Sequence, residues 1–272
     1  MSGAPLLPRP SRLARAWFAA RGVVVPALTL LGLLAAWEGL VQALAIPVFL
    51  LPAPSRILEE MLAMWPHLPG NILATLATVL LGFLASLLLA VPLAVALAAS
   101  PAVARATYPL LLMTQSTPIV AIAPILVVAL GTGQLSRTTV AFLIAFFPLL
   151  VSTVSGLLAV PREVEDLARS LRAGFWQSLW LLRLPSAMPF LFAGLKVAIA
   201  LSVIGAVVAE FVTANAGLGY LITQSTAFFN TPMAFAAVLL LALMGIALFG
   251  AVVLVERLFF PWSARAGRPE RR

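Results

Sequence analysis

The sequence predicts an all-α membrane protein of about six transmembrane helices. Three observations carry this. Of 272 residues, 62% are hydrophobic and only 10% charged, against roughly 45–50% and about 25% in an ordinary soluble domain. The apolar residues fall into six runs of spanning length, and the basic residues crowd into the short segments between them. A soluble globule of this size has no way to hide so much apolar surface, so part of its solvent is lipid. The net charge of +8 would suit a nucleic-acid binder, but its distribution assigns it to membrane topology, and no nucleic-acid partner is expected. Cysteine is absent, which excludes disulfides and thiolate metal sites.

A spanning helix needs about 20 mostly apolar residues at ~1.5 Å rise. The first such run is Val23–Ile46, stopped by Pro47; the Arg-rich start before it lacks a cleavage pattern, so the run reads as a retained anchor. The second is Leu73–Ala99, between Asn71 and Pro101. The third, Tyr108–Leu130, is interrupted by Pro109, Pro118 and Pro124. The fourth is Thr138–Val160, ended by Pro161. The fifth is Pro189–Phe211, and the sixth is Met233–Phe260, ended by Pro261. This divides the chain into a basic N-terminal segment (1–22), a transmembrane domain (23–260) and a basic tail (261–272), both ends being predicted disordered.

Placing the N-terminus in the cytoplasm puts Arg9, Arg12, Arg15, Arg21, Arg105, Arg162, Arg169, Arg172, Arg183, Arg257, Arg265, Arg268, Arg271 and Arg272 on that side, and only Arg56 and Arg137 outside. The positive-inside rule therefore selects cytoplasmic N- and C-termini. Outside, 47–70 contains an amphipathic stretch from Ser55 to Leu62, and 215–231 contains a short apolar turn, Gly217–Ile222, with a flexible lead-in.

The cytoplasmic loop 161–188 is the most informative segment. Glu163, Glu165 and Asp166 stand where carboxylates favour a helix N-terminus, and Leu167, Leu171 and Phe175 follow at helical spacing. A second amphipathic run, with Leu179, Leu182 and Leu184, ends at Pro185. Two short helices joined near Gly174 are expected, either lying on the membrane surface or covered by a partner. The spacing resembles the coupling motif of binding-protein-dependent ABC transporter permeases: a Glu-Ala-Ala triplet, three residues, Gly, nine residues, then Ile-x-Leu-Pro. Here Asp166-Leu167-Ala168 holds the triplet, Arg172 the glycine position, and Leu182-Arg183-Leu184-Pro185 the close. Because Arg172 replaces a turn glycine, Gly174 is expected to take over the bend. The strings Pro118-Ile-Val-Ala-Ile-Ala-Pro124, Gly131-Thr-Gly133, Gly194-Leu-Lys196-Val-Ala198, Ala209-Glu210-Phe211 and Gly217-Leu-Gly-Tyr220 resemble the nitrate/sulfonate/taurine branch of that family.

That resemblance implies the type I ABC importer architecture in a bacterial inner membrane. It implies a homodimer of this subunit, two cytoplasmic ATPase subunits seated on the loops, and an extracytoplasmic binding protein. Coupling falls to Glu165, Asp166, Leu167, Ala168, Leu171, Arg172, Gly174, Leu182, Leu184 and Pro185. No cofactor is expected on this chain, which lacks a Gly-x-x-x-x-Gly-Lys phosphate loop; ATP and Mg would sit on the ATPase. Around Lys196 and 202–211 the sequence looks more like members handling pyrimidine thiamine precursors or riboflavin than like sulfonate carriers, with nitrate, sulfonate and taurine as the alternatives.

Ionisable groups inside a membrane are functional candidates because lipid makes them costly. Glu38 either pairs with a neighbouring helix or reaches the outer interface. Lys196 either snorkels to the cytoplasm or lines the solute path. Glu210, 14 positions on and so ~21 Å away along the helix, is a gate residue, a binding-protein contact or an interfacial carboxylate. Thr114, Gln115, Ser116 and Thr117 form a polar patch before the kinking Pro118, the place for a path lining. Ser202, also a candidate for the solute path, and Gly205 are spaced for close packing, expected at the dimer axis. The single histidine, His67, reads as a solvated loop residue. A secondary transporter or channel without an ATPase is the alternative, and it leaves the loop unexplained. An intramembrane enzyme has no plausible catalytic set here.

Overall fold

Lipid offers nothing to a bare peptide group, so an apolar run of spanning length closes its own hydrogen bonds as a helix. The computed structural model describes residues 12–100, 103, 106–107, 109–110, 113, 119–213 and 215–266, and among these there is no strand. Helix α1 is Arg12–Ala43 and α2 is Pro54–Ala63. A 3₁₀ turn, Trp65–His67, leads into α3, Leu68–Ala98. Helix α4 is Ile119–Leu130, α5 is Gln134–Leu157 and α6 is Arg162–Ser170. A short α7, Phe175–Ser178, a π turn, Leu179–Arg183, and α8, Leu184–Thr213, run on as one rod. Helix α9 is Leu218–Ala227, α10 is Thr231–Phe259 and α11 is Pro261–Ala266.

Five stretches are long and apolar enough to cross a membrane: Val24–Ala43, Trp65–Ala98, Gln134–Leu157, Phe175–Val212 and Thr231–Phe259. Ile119–Leu130 is a shorter sixth. The chain is thus a multi-pass, all-α membrane protein. Several edges differ from the sequence expectation. Asn71 lies inside α3, which starts at Leu68, its side chain donating to the His67 carbonyl. Helix begins at Arg12 and resumes at Pro261–Ala266, so parts of both basic ends are ordered. Pro261 restarts a helix because its missing N–H costs nothing in a first turn.

The largest difference is at Pro185. The sequence predicts that it ends a second loop helix, yet the rod passes through it into the fifth span. The wider π turn makes this possible. The Leu184 N–H reaches back to the Leu179 carbonyl, so the ladder is rearranged where proline supplies no donor.

The centre of the body is α3, α5 and α8. Small residues bring their backbones together, as packing between spans requires where lipid is as apolar as leucine. A Cβ on Gly82 of α3 would lie 2.6 Å from the Ala141 Cβ of α5, and one on Gly205 of α8 would lie 2.6 Å from the Ala141 Cα. Ala141 is therefore clasped from both sides. Ser202 is fully buried, and Gly205 spends its small size on α5 of the same chain. The expectation that the pair serves a dimer axis is corrected accordingly. The Ser86 hydroxyl of α3 adds a hydrogen bond to the Phe142 carbonyl of α5 at 3.0 Å. Helix α10 packs on α8, α9 and α2, and α4 on α5 and α8. Helix α1 stands outermost, with Leu28, Leu30, Leu31 and Leu33 exposed and Trp37 against Phe235 of α10 at 6.0 Å between ring centroids.

Candidate functional site

Helix α6 is short, and its sequence says why it forms. Pro161 occupies the N-cap, Glu163 and Glu165 lie in the first turn and Arg169 in the last, all complementary to the helix dipole. Its end is closed by a Schellman arrangement. The Ala173 N–H bonds the Ala168 carbonyl at 2.9 Å, the Arg172 N–H bonds the Arg169 carbonyl at 2.9 Å, and Arg172 takes φ 55°. The bend therefore stays at the motif's glycine position although an arginine occupies it. Gly174 does not take it over. It is extended, φ −70° and ψ 167°, and caps α7 while its N–H donates to the Gln177 Oε1. Ala45 (φ 46°) and Phe229 (φ 58°) close α1 and α9 in the same way. A left-handed L-residue costs roughly 1–2 kcal/mol. Arg172→Gly is therefore expected to stabilise the purified protein by about 1 kcal/mol, seen as a raised thermal midpoint in detergent. Gly174→Ala, whose added carbon would meet nothing closer than 3.9 Å, should change little.

Of the predicted coupling residues, Ala168 is buried and Leu184 packs into the core. Leu167 and Leu171 project outward, Leu171 being 74% exposed. Asp166 pairs with Arg169 at 3.0 Å on the exposed side. Leu182 and Leu181 of the rod face α6 across a cleft of about 200 Å³ that Val164, Leu167 and Leu171 complete. Trp176 and Trp180, each 65% exposed, extend the uncovered apolar surface along the rod.

The residue that ties these parts together is Arg183, in the variable position of the motif. Its Nη2 meets the Glu165 carboxylate at 3.0 Å and its Nη1 donates to the Ala98 carbonyl, the last of α3, at 2.7 Å. One guanidinium thus joins α6, the rod and the second span. Glu165 also holds Arg169 at 3.5 Å. Arginine suits this place because its rigid fork serves two acceptors at once. An arginine between the two leucines of the motif's close, two residues before its proline, was the available signal.

The other candidates are scattered through the body. Thr114, Gln115, Ser116 and Thr117 lie outside the described residues. Glu38 accepts from the Ser55 N–H at 3.0 Å and the Ser55 hydroxyl at 2.8 Å, and so caps the first available N–H of α2 after Pro54. Lys196 ends on Glu256 of α10, 2.5 Å away, and Glu256 accepts further from the Ser263 hydroxyl of α11 at 2.9 Å. The lysine is thus held by a buried carboxylate that sequence reasoning did not single out, 60 residues downstream.

Glu210 is 1% exposed, so in this conformation it is neither an interfacial carboxylate nor a contact surface for another protein. Its Oε2 accepts from the Gly219 N–H at 2.7 Å and the Thr75 hydroxyl at 3.0 Å. Asn71 takes the Gly217 N–H at 2.9 Å and Thr75 the Leu218 N–H at 2.8 Å. Three successive donors at the start of α9 are thereby satisfied from α3 and α8, and the lead-in predicted flexible is pinned. Gly217 (φ 124°) and Gly219 are needed, since a Cβ on Gly217 would lie 2.6 Å from the Glu210 Oε1 and one on Gly219 2.8 Å from the Glu210 Cβ. Arg137 donates to the Ala216 carbonyl at 3.3 Å from the other side.

Helix α6 thus presents an apolar face and is bonded to the ends of two apolar rods. Residues 86–261 match the family of binding-protein-dependent transport system inner membrane components. The chain belongs to that family. Among its curated relatives, this permease is 40% identical over 262 residues to the riboflavin transport system permease protein RibX of Chloroflexus aurantiacus, covering 94% of this chain and 96% of that one. It is 36% identical to the formylaminopyrimidine transport permease protein ThiX of Halalkalibacterium halodurans, over 88% and 96%. It is 28% identical to the taurine transport system permease protein TauC of Escherichia coli, over 92% and 94%. The permease is accordingly the membrane subunit of an ABC transport system that also contains an ATPase and a binding protein.

Proposed function

We propose that this permease works as a homodimer that two cytoplasmic ATPases drive through α6, importing a neutral aromatic heterocycle of the riboflavin or pyrimidine type from an extracytoplasmic binding protein. The observation that carries the reading is the Arg183 junction. A helix with Leu167 and Leu171 uncovered is bonded to the ends of the second and fifth spans, so displacing it displaces them. ATP-driven approach of the ATPases would move the lever and rock the spans between inward- and outward-open states. Leu167, Leu171, Trp176 and Leu181 supply the apolar contact with the ATPase socket, and Glu165, Asp166 and Arg169 its charged rim.

In this reading the chain itself catalyses nothing and binds no cofactor; ATP and Mg belong to the ATPase. Both termini face the cytoplasm, as the arginine distribution demands. The names of the two more similar relatives cited, riboflavin and formylaminopyrimidine carriers, favour a heterocyclic substrate over taurine. Vesicles reconstituted with permease, ATPase and binding protein should accumulate riboflavin or a formylaminopyrimidine only with ATP inside the ATPase compartment. Uptake by the permease alone, down a gradient and indifferent to ATP, would contradict the reading.

A further inference from the structure

Where α4, α5 and α8 meet, the described surface is hollowed into a cleft of about 290 Å³. Its wall is built from Ile119 and Val120 of α4, Ile144 and Phe147 of α5, and Leu201 and Ile204 of α8. Phe147 lies near the middle of Gln134–Leu157, so the cleft sits at mid-membrane depth. Among the described lining residues no side chain carries a polar atom, so the polar surface these residues offer is main chain.

Two prolines free main-chain acceptors on that wall. Pro124 stands four residues after Val120, and Pro148 four residues after Ile144. Each proline lacks the N–H that the carbonyl four residues earlier would accept in a regular helix. Val120 and Ile144, both on the cleft wall, therefore carry carbonyls without their helical donor. Irregular backbone of this kind persists in a membrane where it lines a cavity. The described wall combines backbone carbonyls without helical donors, the aromatic ring of Phe147 and no charged side chain. None of Glu38, Lys196, Glu210 and Glu256 lines it, each being held elsewhere. An anion would meet no compensating charged side chain among the described lining residues. A flat uncharged ring with N–H edges would gain both stacking and hydrogen bonds.

We propose that this cleft is a mid-membrane station of the solute path, and that Phe147 with the carbonyls freed by Pro148 and Pro124 selects uncharged, planar, N–H-bearing rings against anions such as taurine's sulfonate. The proposal rests on the reading of this chain as the solute-conducting subunit, and it makes selectivity a property of the permease as well as of the binding protein.

The test uses the full assembly of permease, ATPase and binding protein in vesicles, with riboflavin and taurine as probes. The unaltered assembly is expected to take up riboflavin and not taurine. Phe147→Ala should cut riboflavin uptake by about tenfold or more, the scale of a lost ring stack, while Phe147→Trp keeps most of it. Pro148→Ala, which returns a donor to the Ile144 carbonyl, should lower riboflavin uptake severalfold. Wild-type uptake by Phe147→Ala would overturn the proposal. So would its falling apart into single permease subunits, which would make the cleft a seat for a second copy. Taurine uptake by the unaltered assembly overturns the selectivity. Riboflavin uptake that needs no ATP overturns the proposed function alone and leaves the cleft's selectivity standing.

Discussion

Arg183→Ala is expected to lower ATP-driven uptake by about thirtyfold while the protein remains inserted in the membrane. The substitution removes the ion pair to Glu165 and the hydrogen bond to the Ala98 carbonyl together. Hydrogen bonds to charged groups contribute roughly 1.5–3 kcal/mol each. The Arg183 side chain is 13% exposed and Glu165 24%, so a combined loss of about 2 kcal/mol, after allowance for solvent, is the appropriate scale. The loss should appear as ATP hydrolysed without solute moved, because the lever would shift without carrying α3 and α8. Arg183→Lys keeps the charge but gives up the fork, and should fall between. Measuring solute imported per ATP hydrolysed in vesicles checks both variants. An unchanged ratio in Arg183→Ala would show that the junction transmits nothing.

Lys196→Met should destabilise the purified permease by about 3 kcal/mol, since it strands Glu256 as an uncompensated buried carboxylate with only Ser263 beside it. The double variant Lys196→Met/Glu256→Met removes both charges and should recover most of the loss. Thermal denaturation in detergent reads both. A residue whose work lay in the solute path would behave in the opposite way: Lys196→Met would leave the midpoint unchanged and alter uptake. The pair also has a structural consequence. With Phe192 of α8 against Phe260 at 5.2 Å between centroids, it binds α10 and α11 to the fifth span, so the tail helix travels with the rod.

The apolar runs were legible because 20-residue stretches without charge have one solution in lipid. The loop was legible because Asp166-Leu167-Ala168 and Leu182-x-Leu184-Pro185 stand at a spacing that few other segments share. What could not be read is what depends on contacts distant in sequence. Glu256 partners Lys196 from 60 positions away, and nothing local distinguishes it from a carboxylate at a helix end. Glu210 looks interfacial by depth. It is buried because Gly217 and Gly219 have no Cβ to keep their loop off the carboxylate, and the glycines seven and nine residues downstream were the readable hint. Arg172 misled through propensity. Glycine is the better residue at φ 55°, but the Schellman bonds and the positions of Ala168 and Arg169 impose that geometry on whatever residue stands there. Pro185 misled for a related reason, since a π turn lets the rod continue where an α-helix would end.

The central claim is that α6 is an ATPase-facing lever. The chain has no native cysteine, so a single cysteine at Leu171 reports without background. In the assembled transporter, Leu171→Cys should crosslink to a cysteine in the ATPase surface and be shielded from a membrane-impermeant maleimide added from the cytoplasmic side. Labelling of that cysteine from the extracytoplasmic side, or full cytoplasmic labelling with the ATPase bound, would contradict it.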